Sequence, residues 1–488
     1  MILYTIGNKF VYELVNIIHF FYPFEKVVDF DILNDKEDKK TIFANRTLTE
    51  NGANLELSAN IDGTKYNNSS TISADTKNFE NECERILSKM LFEILVKHTG
   101  YRPAWGILTG VRPAKLFRRF ENEFGAYEAR EIFENDYLAS RQKTRLCERI
   151  AKSEDEIIAL SKPNSFSLYI SIPFCPSRCS YCSFVSHSVE KSRELVPKYV
   201  EYLIEEIKDT ASYAKSLNLR LETVYIGGGT PTTLEADDIA KIMKTIDNNF
   251  DLKACREYTV EAGRPDTITK EKLEAIAKGG ATRISINPQT LSDKVLKEIG
   301  RNHTARQTID AFALARKEGF TNINMDLIAG LPLDTITGFE DTLRKIISLA
   351  PESVTVHTLA MKRSSKLTTE GEHEHIKNSE SVAQMLEIAQ NELTANELSP
   401  YYMYRQSKTV GNLENVGYAK PGFEGLYNIY IMDETHTILA CGAGAVTKLR
   451  RQGKNTIERI FNYKYPYEYI RDFSEILNRK KRIGDFYA

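Results

Sequence analysis

The chain has 488 residues, 42% hydrophobic and 27% charged, with a formal net charge of −2. That length calls for two or three folding units, and the near-neutral balance excludes a globally basic binder of nucleic acid or anionic membrane. Seven cysteines, an odd number in a large chain, argue against a secreted disulfide framework.

The opening residues MILYTIGNKFVYEL lack a basic n-region and a small-residue cleavage site. The apolar stretch 17–24 is too short to span a bilayer and contains Pro23. A cytoplasmic protein without a membrane span is expected. Residues 1–160 read as an N-terminal α/β domain. Alternating segments 26–32 and 54–61 predict strands, with turn signals at Asn51-Gly52 and Asp62-Gly63. Cys83, Ile86, Leu87, Met90, Leu91, Ile94 and Leu95 recur at helical spacing, and Gly100 closes that helix. Cys83 and Cys147 lie on apolar helical faces and read as core. The stretch from Trp105 to Pro113 reads as a tight turn with a packed Trp, or else as a contact with a partner or substrate.

A linker at 161–164 precedes a change of pattern. Apolar runs at 167–172, 223–226, 258–260, 283–286, 323–328 and 353–356 alternate with amphipathic helices at 195–217, 236–248, 270–278, 305–317 and 338–349. Six βα units over 166–360 imply a parallel sheet buried on both faces, doubly wound or curled into an open barrel. In a barrel, functional residues gather at the C-terminal strand ends. The runs here end at Cys175, Cys179 and Cys182, at Gly227-Gly228-Gly229-Thr230, at Glu261, and at Asn287-Pro288-Gln289. The fifth contains Asp326 and ends at Gly330-Leu331-Pro332. Residues 361–488 read as a C-terminal α/β extension: a helix at 381–396, strands at 425–432 and 437–440, the turn Gly442-Ala443-Gly444, and a basic, tyrosine-rich helical tail.

Thiolates favour iron–sulfur clusters or zinc. Three cysteines at C-x₃-C-x₂-C spacing would hold three irons of a cubane and leave the fourth open. Zinc would need a fourth ligand, which His187 could supply, but this is not the paired spacing of a zinc finger. The three glycines permit close backbone approach to a ligand, and no Gly-Lys-Ser/Thr follows to make a phosphate loop. Glu261 and Asp326 are carboxylates on apolar strands, so each needs a partner, an internal salt bridge or a ligand.

The cysteine spacing, with Tyr181 before the third cysteine, resembles the signature of radical S-adenosylmethionine enzymes. The stretches 169–175, 227–232, 260–262, 299–303 and 324–332, with Gln289, resemble the oxygen-independent coproporphyrinogen III oxidase family over about 166–360. The N-terminal part, Tyr404-Arg405-Gln406 and 411–418 resemble its HemZ-type branch. The resemblance implies an open (β/α)₆ partial TIM barrel carrying a 4Fe–4S cluster on Cys175, Cys179 and Cys182. It implies S-adenosylmethionine as cofactor, two per turnover, with its methionine part at Gly228, Gly229 and Thr230. Tyr169 would lie close to cluster and cofactor, as would Phe184. Glu261 would meet the amino-acid or ribose end, Gln289 and Asp326 the ribose hydroxyls, and Arg301 a carboxylate. Arg405 and Lys408 would bind propionates of a tetrapyrrole.

The implied reaction is oxidative decarboxylation of coproporphyrinogen III to protoporphyrinogen IX. An adenosyl radical would take hydrogen from a propionate β-carbon, and a flavodoxin- or ferredoxin-like donor would supply electrons. Two positions depart from the best-characterised oxidases: Phe184 stands where they carry cysteine, and Ser171 where they carry histidine. Residues 182–187 are closer to the haem-chaperone branch. A haem-binding or haem-trafficking protein is therefore one alternative, and a radical methyltransferase or ring-opening enzyme acting on haem another.

Overall fold

The computed structural model describes residues 1–31, 39–182, 187–190, 192–360, 372–406, 408–451 and 456–487, so Phe184 lies outside the described residues. The chain divides into two compact units. One comprises Met1–Ala151, Ala360–Ala383 and Tyr404–Glu414; the other comprises Lys152–Leu359, Gln384–Met403 and Asn415–Ala488. The residues after 360 are thus shared between both. No helix among the described residues is long and apolar enough to cross a membrane.

The first unit is built on a sheet of β1 (Ile2–Ile6), β2 (Val28–Phe30), β3 (Lys40–Thr49), β4 (Gly52–Ile61) and β5 (Thr64–Ser73), in the order β2-β1-β3-β4-β5. Period-two alternation buries Leu55, Leu57, Ala59 and Ile61 of β4 in one core with Leu87, Leu91 and Leu95 of the helix Phe79–Thr99. Gly100, at φ +72°, ends that helix by donating its N–H to Val96 O (2.9 Å). Asp62 and Gly63 both take positive φ and join β4 to β5 as a tight hairpin turn. The expected strand over 26–32 is only Val28–Phe30. β5 escapes pattern reading because it is a polar, largely exposed edge strand, defined by its pairing to β4.

The second unit carries the expected strand–helix alternation. It contains β6 (Ser165–Ile172), the short β7 (Phe174–Cys175) and β8 (His187–Ser188), then β9 (Arg220–Gly228), β10 (Glu257–Glu261), β11 (Arg283–Ser285), β12 (Ile323–Ala329) and β13 (Ser353–Thr358). β6 and β9 to β13 are parallel neighbours in chain order, the sequence in which a barrel sector is wound. Further strands continue the sheet at both edges of this run. β14 (Ser399–Arg405) and β15 (Glu414–Ala419) extend one edge, β15 running antiparallel to β13. On the other edge β16 (Thr437–Cys441) pairs parallel with β6, followed by the antiparallel β17 (Val446–Arg450) and β18 (Ile457–Phe461). The result is an eleven-stranded mixed sheet.

One expected strand is a helix. Residues 425–432 read as strand from their apolar run, yet Leu426–Asp433 is helical. The deciding partner is remote: the Glu257 carboxylate on β10 accepts from the N–H groups of Leu426 (2.7 Å) and Tyr427 (3.2 Å). A carboxylate on the first exposed N–H groups satisfies and stabilises a helix start.

The C-terminal helices are tied to the core by a buried ion pair. Glu206, fully buried on the helix Val196–Ser216, lies 3.1 Å from Lys480 Nζ and accepts from Gly442 N, Tyr469 OH and Asn462 Nδ2, each at 2.7 Å. Removing one partner of such a pair strands a buried charge and costs about 3–5 kcal/mol. Lys480→Met should lower unfolding free energy by about that amount in denaturant titrations, and adding Glu206→Gln should recover part of it.

Candidate functional site

The cysteine loop leaves the end of β6 and is closed at its base by the β7–β8 ladder, which pairs Phe174 with His187 and Cys175 with Ser188. Its far side rests on the segment after Ile299: Ser180 N donates to Ile299 O (3.0 Å) and Ser177 Oγ to Gly300 O (2.9 Å). Cys179 is buried, whereas Cys175 and Cys182 are partly exposed. Thr230 Oγ1 lies 3.5 Å from Cys175 Sγ, and Arg264 Nη1 lies 3.6 Å from Cys179 Sγ. Among the described residues, no three His, Cys, Asp or Glu side chains are gathered as a metal-binding group. The three thiols share one loop, and residues 183–186 beside them are outside the described set.

The end of β9 approaches this loop more closely than any side chain would allow. Gly229 N donates to Ile172 O and Thr230 N to Phe174 O, both at 2.7 Å. A Cβ on Gly229 would sit 2.5 Å from Phe174 O and 3.0 Å from Cys175 Sγ. Gly228 takes φ +111° against Ile172. These glycines thus bring the end of β9 against the chain's own loop.

Next along the rim stands Glu261. Tyr225 OH donates to its Oε1. Burial, with the nearby Asp326 charge, pushes the Glu261 carboxyl up to about 7, against the opposing hydrogen bonds from Tyr225 and Gly228. Tyr225 stacks on Tyr427 (centroids 4.5 Å) and Tyr169 (6.2 Å), and Tyr169 stacks on Tyr427 (6.0 Å). Burial raises all three hydroxyls.

Asp326 behaves oppositely. Burial opposes its charge, but hydrogen bonds from His357, Asn324 and Thr355 hold its carboxyl below the usual range. Asn324 Nδ2 lies 2.7 Å from Asp326 Oδ1, and His357 Nε2 lies 3.6 Å from Oδ2. Gln289 is bound to the same strand through its backbone, donating N–H to Asp326 O (2.9 Å) and accepting from Ile328 N (3.0 Å). It takes the left-handed φ of +68°, uncommon for a non-glycine residue, and its buried Oε1 has no hydrogen-bond partner. Such an acceptor is costly unless a donor arrives.

Arg301 is buried with Nε and Nη2 on Tyr181 OH (3.2 and 2.9 Å) and Nη1 on Asn287 O. The expected carboxylate-binding arginine therefore sits beside the residue preceding Cys182. Arg405 and Lys408 fall in the other compact unit. Arg405 is buried there, with Nη1 on Leu108 O (2.7 Å) and Gly110 O (3.3 Å), Nε on Asn412 O (3.3 Å) and its guanidinium 5.2 Å over the Trp105 ring. Burial lowers its pKa to about 10. Trp105 is packed and donates to Glu414 (2.7 Å), so its stretch is the tight turn with a packed Trp. Lys408 is exposed.

The residues present fit an iron–sulfur cluster and a hydroxyl-bearing cofactor. The thiols are soft donors on one loop, and Gln289 Oε1 is an acceptor in want of a donor. Sequence reasoning did not single out Tyr225, Tyr427, His357 or Arg264. Tyr225 carried a signal, since it is the register partner of Tyr169 on a neighbouring strand. Tyr427 carried none, because its helix depends on Glu257.

Residues 169–346 match the Radical SAM superfamily. The crystal structure of coproporphyrinogen III oxidase (HemN) from Escherichia coli, a radical SAM enzyme, aligns with a TM-score of 0.50 at 21% identity, covering 67% of this chain and 72% of that one, a likeness of fold. The oxygen-independent coproporphyrinogen-III oxidase-like protein HemZ of Bacillus subtilis is 35% identical over 96% of this chain and 94% of its own length. Heme chaperone HemW of the same organism is 33% identical over 57% of this chain and 70% of its own. The chain belongs to the radical SAM family of oxygen-independent coproporphyrinogen III oxidase-like proteins.

Two outcomes follow from the geometry. Glu261 keeps its proton in the folded chain up to about pH 7 but loses it near 4.5 when unfolded. Its contribution to stability is therefore complete below 4.5 and is lost as pH rises toward 7. Glu261→Gln should flatten that part of the stability–pH curve, by about 3 kcal/mol across the window at about 1.4 kcal/mol per pH unit. Arg405→Ala should destabilise the chain by about 2–4 kcal/mol through lost buried hydrogen bonds and ring contact. An unchanged denaturation midpoint would leave that guanidinium available to a ligand.

Proposed function

We propose that the protein is an oxygen-independent, radical S-adenosylmethionine oxidase that decarboxylates two propionate chains of coproporphyrinogen III to give protoporphyrinogen IX. What carries this reading is the near-full-length likeness to the HemZ protein, supported by the three-thiol loop after β6 and by Glu261, Gln289 and Asp326 on or just after the strands that follow it. We read the six parallel strands as a curved barrel sector with this rim at its mouth. Cys175, Cys179 and Cys182 are the ligands of a 4Fe–4S cluster. When bound, that cluster and S-adenosylmethionine, two per turnover, supply hydrogen-atom abstraction by a 5′-deoxyadenosyl radical.

The chain's own residues bind and orient. Gly228, Gly229 and Thr230 offer backbone and hydroxyl groups to the methionine part of the cofactor. Gln289 Oε1 accepts from a ribose hydroxyl, and Asp326, held ionised by His357 and Asn324, accepts from another. Arg301, its fork held by Tyr181 OH and Asn287 O, brings a fixed positive charge to the cofactor carboxylate. Glu261, protonated up to about pH 7, offers a hydroxyl donor to the amino-acid or ribose end. The stacked Tyr169, Tyr225 and Tyr427 exclude water from the strand ends and give the individual pyrrole rings of the substrate an aromatic wall. Tyr427 belongs to the segment after 360, which we read as completing the substrate site. Residues 1–160 remain a separate N-terminal domain in this scheme. The setting is the cytoplasm, with a flavodoxin- or ferredoxin-like donor.

A second reading, a haem-binding or haem-trafficking protein on the same core, draws on the likeness to HemW and on Ser171. That serine is buried, and its Oγ donates to Ala443 O (2.8 Å). A histidine at this position, as in the best-characterised oxidases, would displace the Gly442–Ala443 turn.

Anaerobic reconstitution should load about four irons per chain, and Cys175→Ala should abolish loading. With dithionite and S-adenosylmethionine the protein should release 5′-deoxyadenosine. With coproporphyrinogen III added, mass analysis should find loss of two carboxyl groups. Stoichiometric haem binding with no decarboxylated product would replace the oxidase reading by the haem-binding one.

A further inference from the structure

Arg264 lies just beyond β10 and is 2% exposed. Its guanidinium is divided between the cysteine loop and one carboxylate. Nη1 points at Cys179 Sγ (3.6 Å) and Ser177 O (3.4 Å), and Nη2 donates to Ser177 Oγ (3.0 Å). On its other side, Asp266 accepts from Nε through Oδ1 (3.2 Å) and from Nη2 through Oδ2 (3.3 Å), a two-point pairing that fixes the plane of the fork. Behind Asp266, His303 Nδ1 stands 3.7 Å from Oδ1 with its side chain fully buried. The Arg264 charge and the His303 ring nearby outweigh burial and hold the Asp266 carboxyl down at about 2, so the brace stays ionised.

Cys179 is the buried thiol of the three. Hydrogen bonds to ligating sulfurs, together with local charge, set where a cluster's reduction potential falls. A fixed positive charge stabilises the reduced cluster, which carries one more negative charge.

We propose that Arg264 is a positioning residue that locks the Cys179 sulfur in place and raises the reduction potential of the cluster, with Asp266 and His303 as the brace behind it. The proposal rests on the cluster reading of the cysteine loop. Arginine is required for this role, because it meets sulfur, hydroxyl and carboxylate from one rigid plane, which the point charge of lysine cannot do.

The test compares full-length wild type, Arg264→Lys and Arg264→Met after anaerobic reconstitution. Iron per chain is measured first, and the midpoint potential is then taken by redox titration followed by electron paramagnetic resonance. At the wild-type midpoint, the ratio of reduced to oxidised cluster in Arg264→Met should fall about tenfold, equivalent to about 59 mV for a one-electron couple. Arg264→Lys should move in the same direction by less. Should Arg264→Met fail to fold or to keep iron, the Arg264→Lys midpoint decides. An Arg264→Lys midpoint equal to wild type, or an unchanged Arg264→Met midpoint at full iron loading, overturns the proposal. Wild-type protein that takes up no iron removes the cluster reading, and the proposal with it.

Discussion

At Gly229 the backbone of β9 runs into the cysteine loop with room for a hydrogen atom and nothing larger. Two short backbone hydrogen bonds, to Ile172 O and Phe174 O, hold that contact. The loop is otherwise a run of turns with a two-residue ladder at its base, too little structure to fix three thiols by itself. Its geometry is borrowed from β9 on one side and from Arg264 and the 299–300 segment on the other. The same glycine run lets Glu261 come close to Gly227. One steric constraint thus sets the spacing between the thiols and the first carboxylate of the rim.

The two rim carboxylates divide by environment. Glu261 has burial and a like charge against its ionised form, with too few donors to compensate, and its carboxyl rises to about 7. Asp326 is equally enclosed but has the His357 ring and the Asn324 amide beside it, and its carboxyl falls below the usual range. The organising side chain is Asn324. It gives its amide N–H to Asp326 and to Ser285 Oγ (2.8 Å), and accepts at Oδ1 from Ser353 and Thr355 (3.1 Å each). Pairs of acids pushed apart in this way serve different roles in one site. A neutral acid can donate where an ionised one can only accept.

The strands of the core were legible because parallel strands buried on both faces read as near-continuous apolar runs. The rim was legible because its residues interrupt those runs at their ends. Glu261 and Asp326 stand on β10 and β12, Gly229 and Gln289 follow β9 and β11, and Cys175 follows β6 on its own short ladder. What stayed hidden depends on partners far away in sequence. The helix Leu426–Asp433 is started by a carboxylate on β10, β5 is a strand only because β4 is beside it, and Arg264 acquires meaning only once Cys179 and Asp266 are in view. Arg405 illustrates the converse. Its charge and aromatic neighbours suggested a substrate contact; its Nη1 and Nε are on carbonyls of its own unit, while its buried Nη2 has no hydrogen-bond partner. Buried and exposed arginines look alike in a sequence.

The pairing of β16 with β6 bears on how the chain is made. β6 is the first strand of the core to leave the ribosome, and the strand that covers its outer edge is almost the last. Until then a long, apolar, hydrogen-bonding edge stays open, the kind of template on which chains join one another. Cutting the chain after the sixth parallel strand would leave that edge of β6 without its partner. During synthesis the protein must hold its most hazardous edge unpaired for most of its length, and a protective chaperone at that stage would find its grip there.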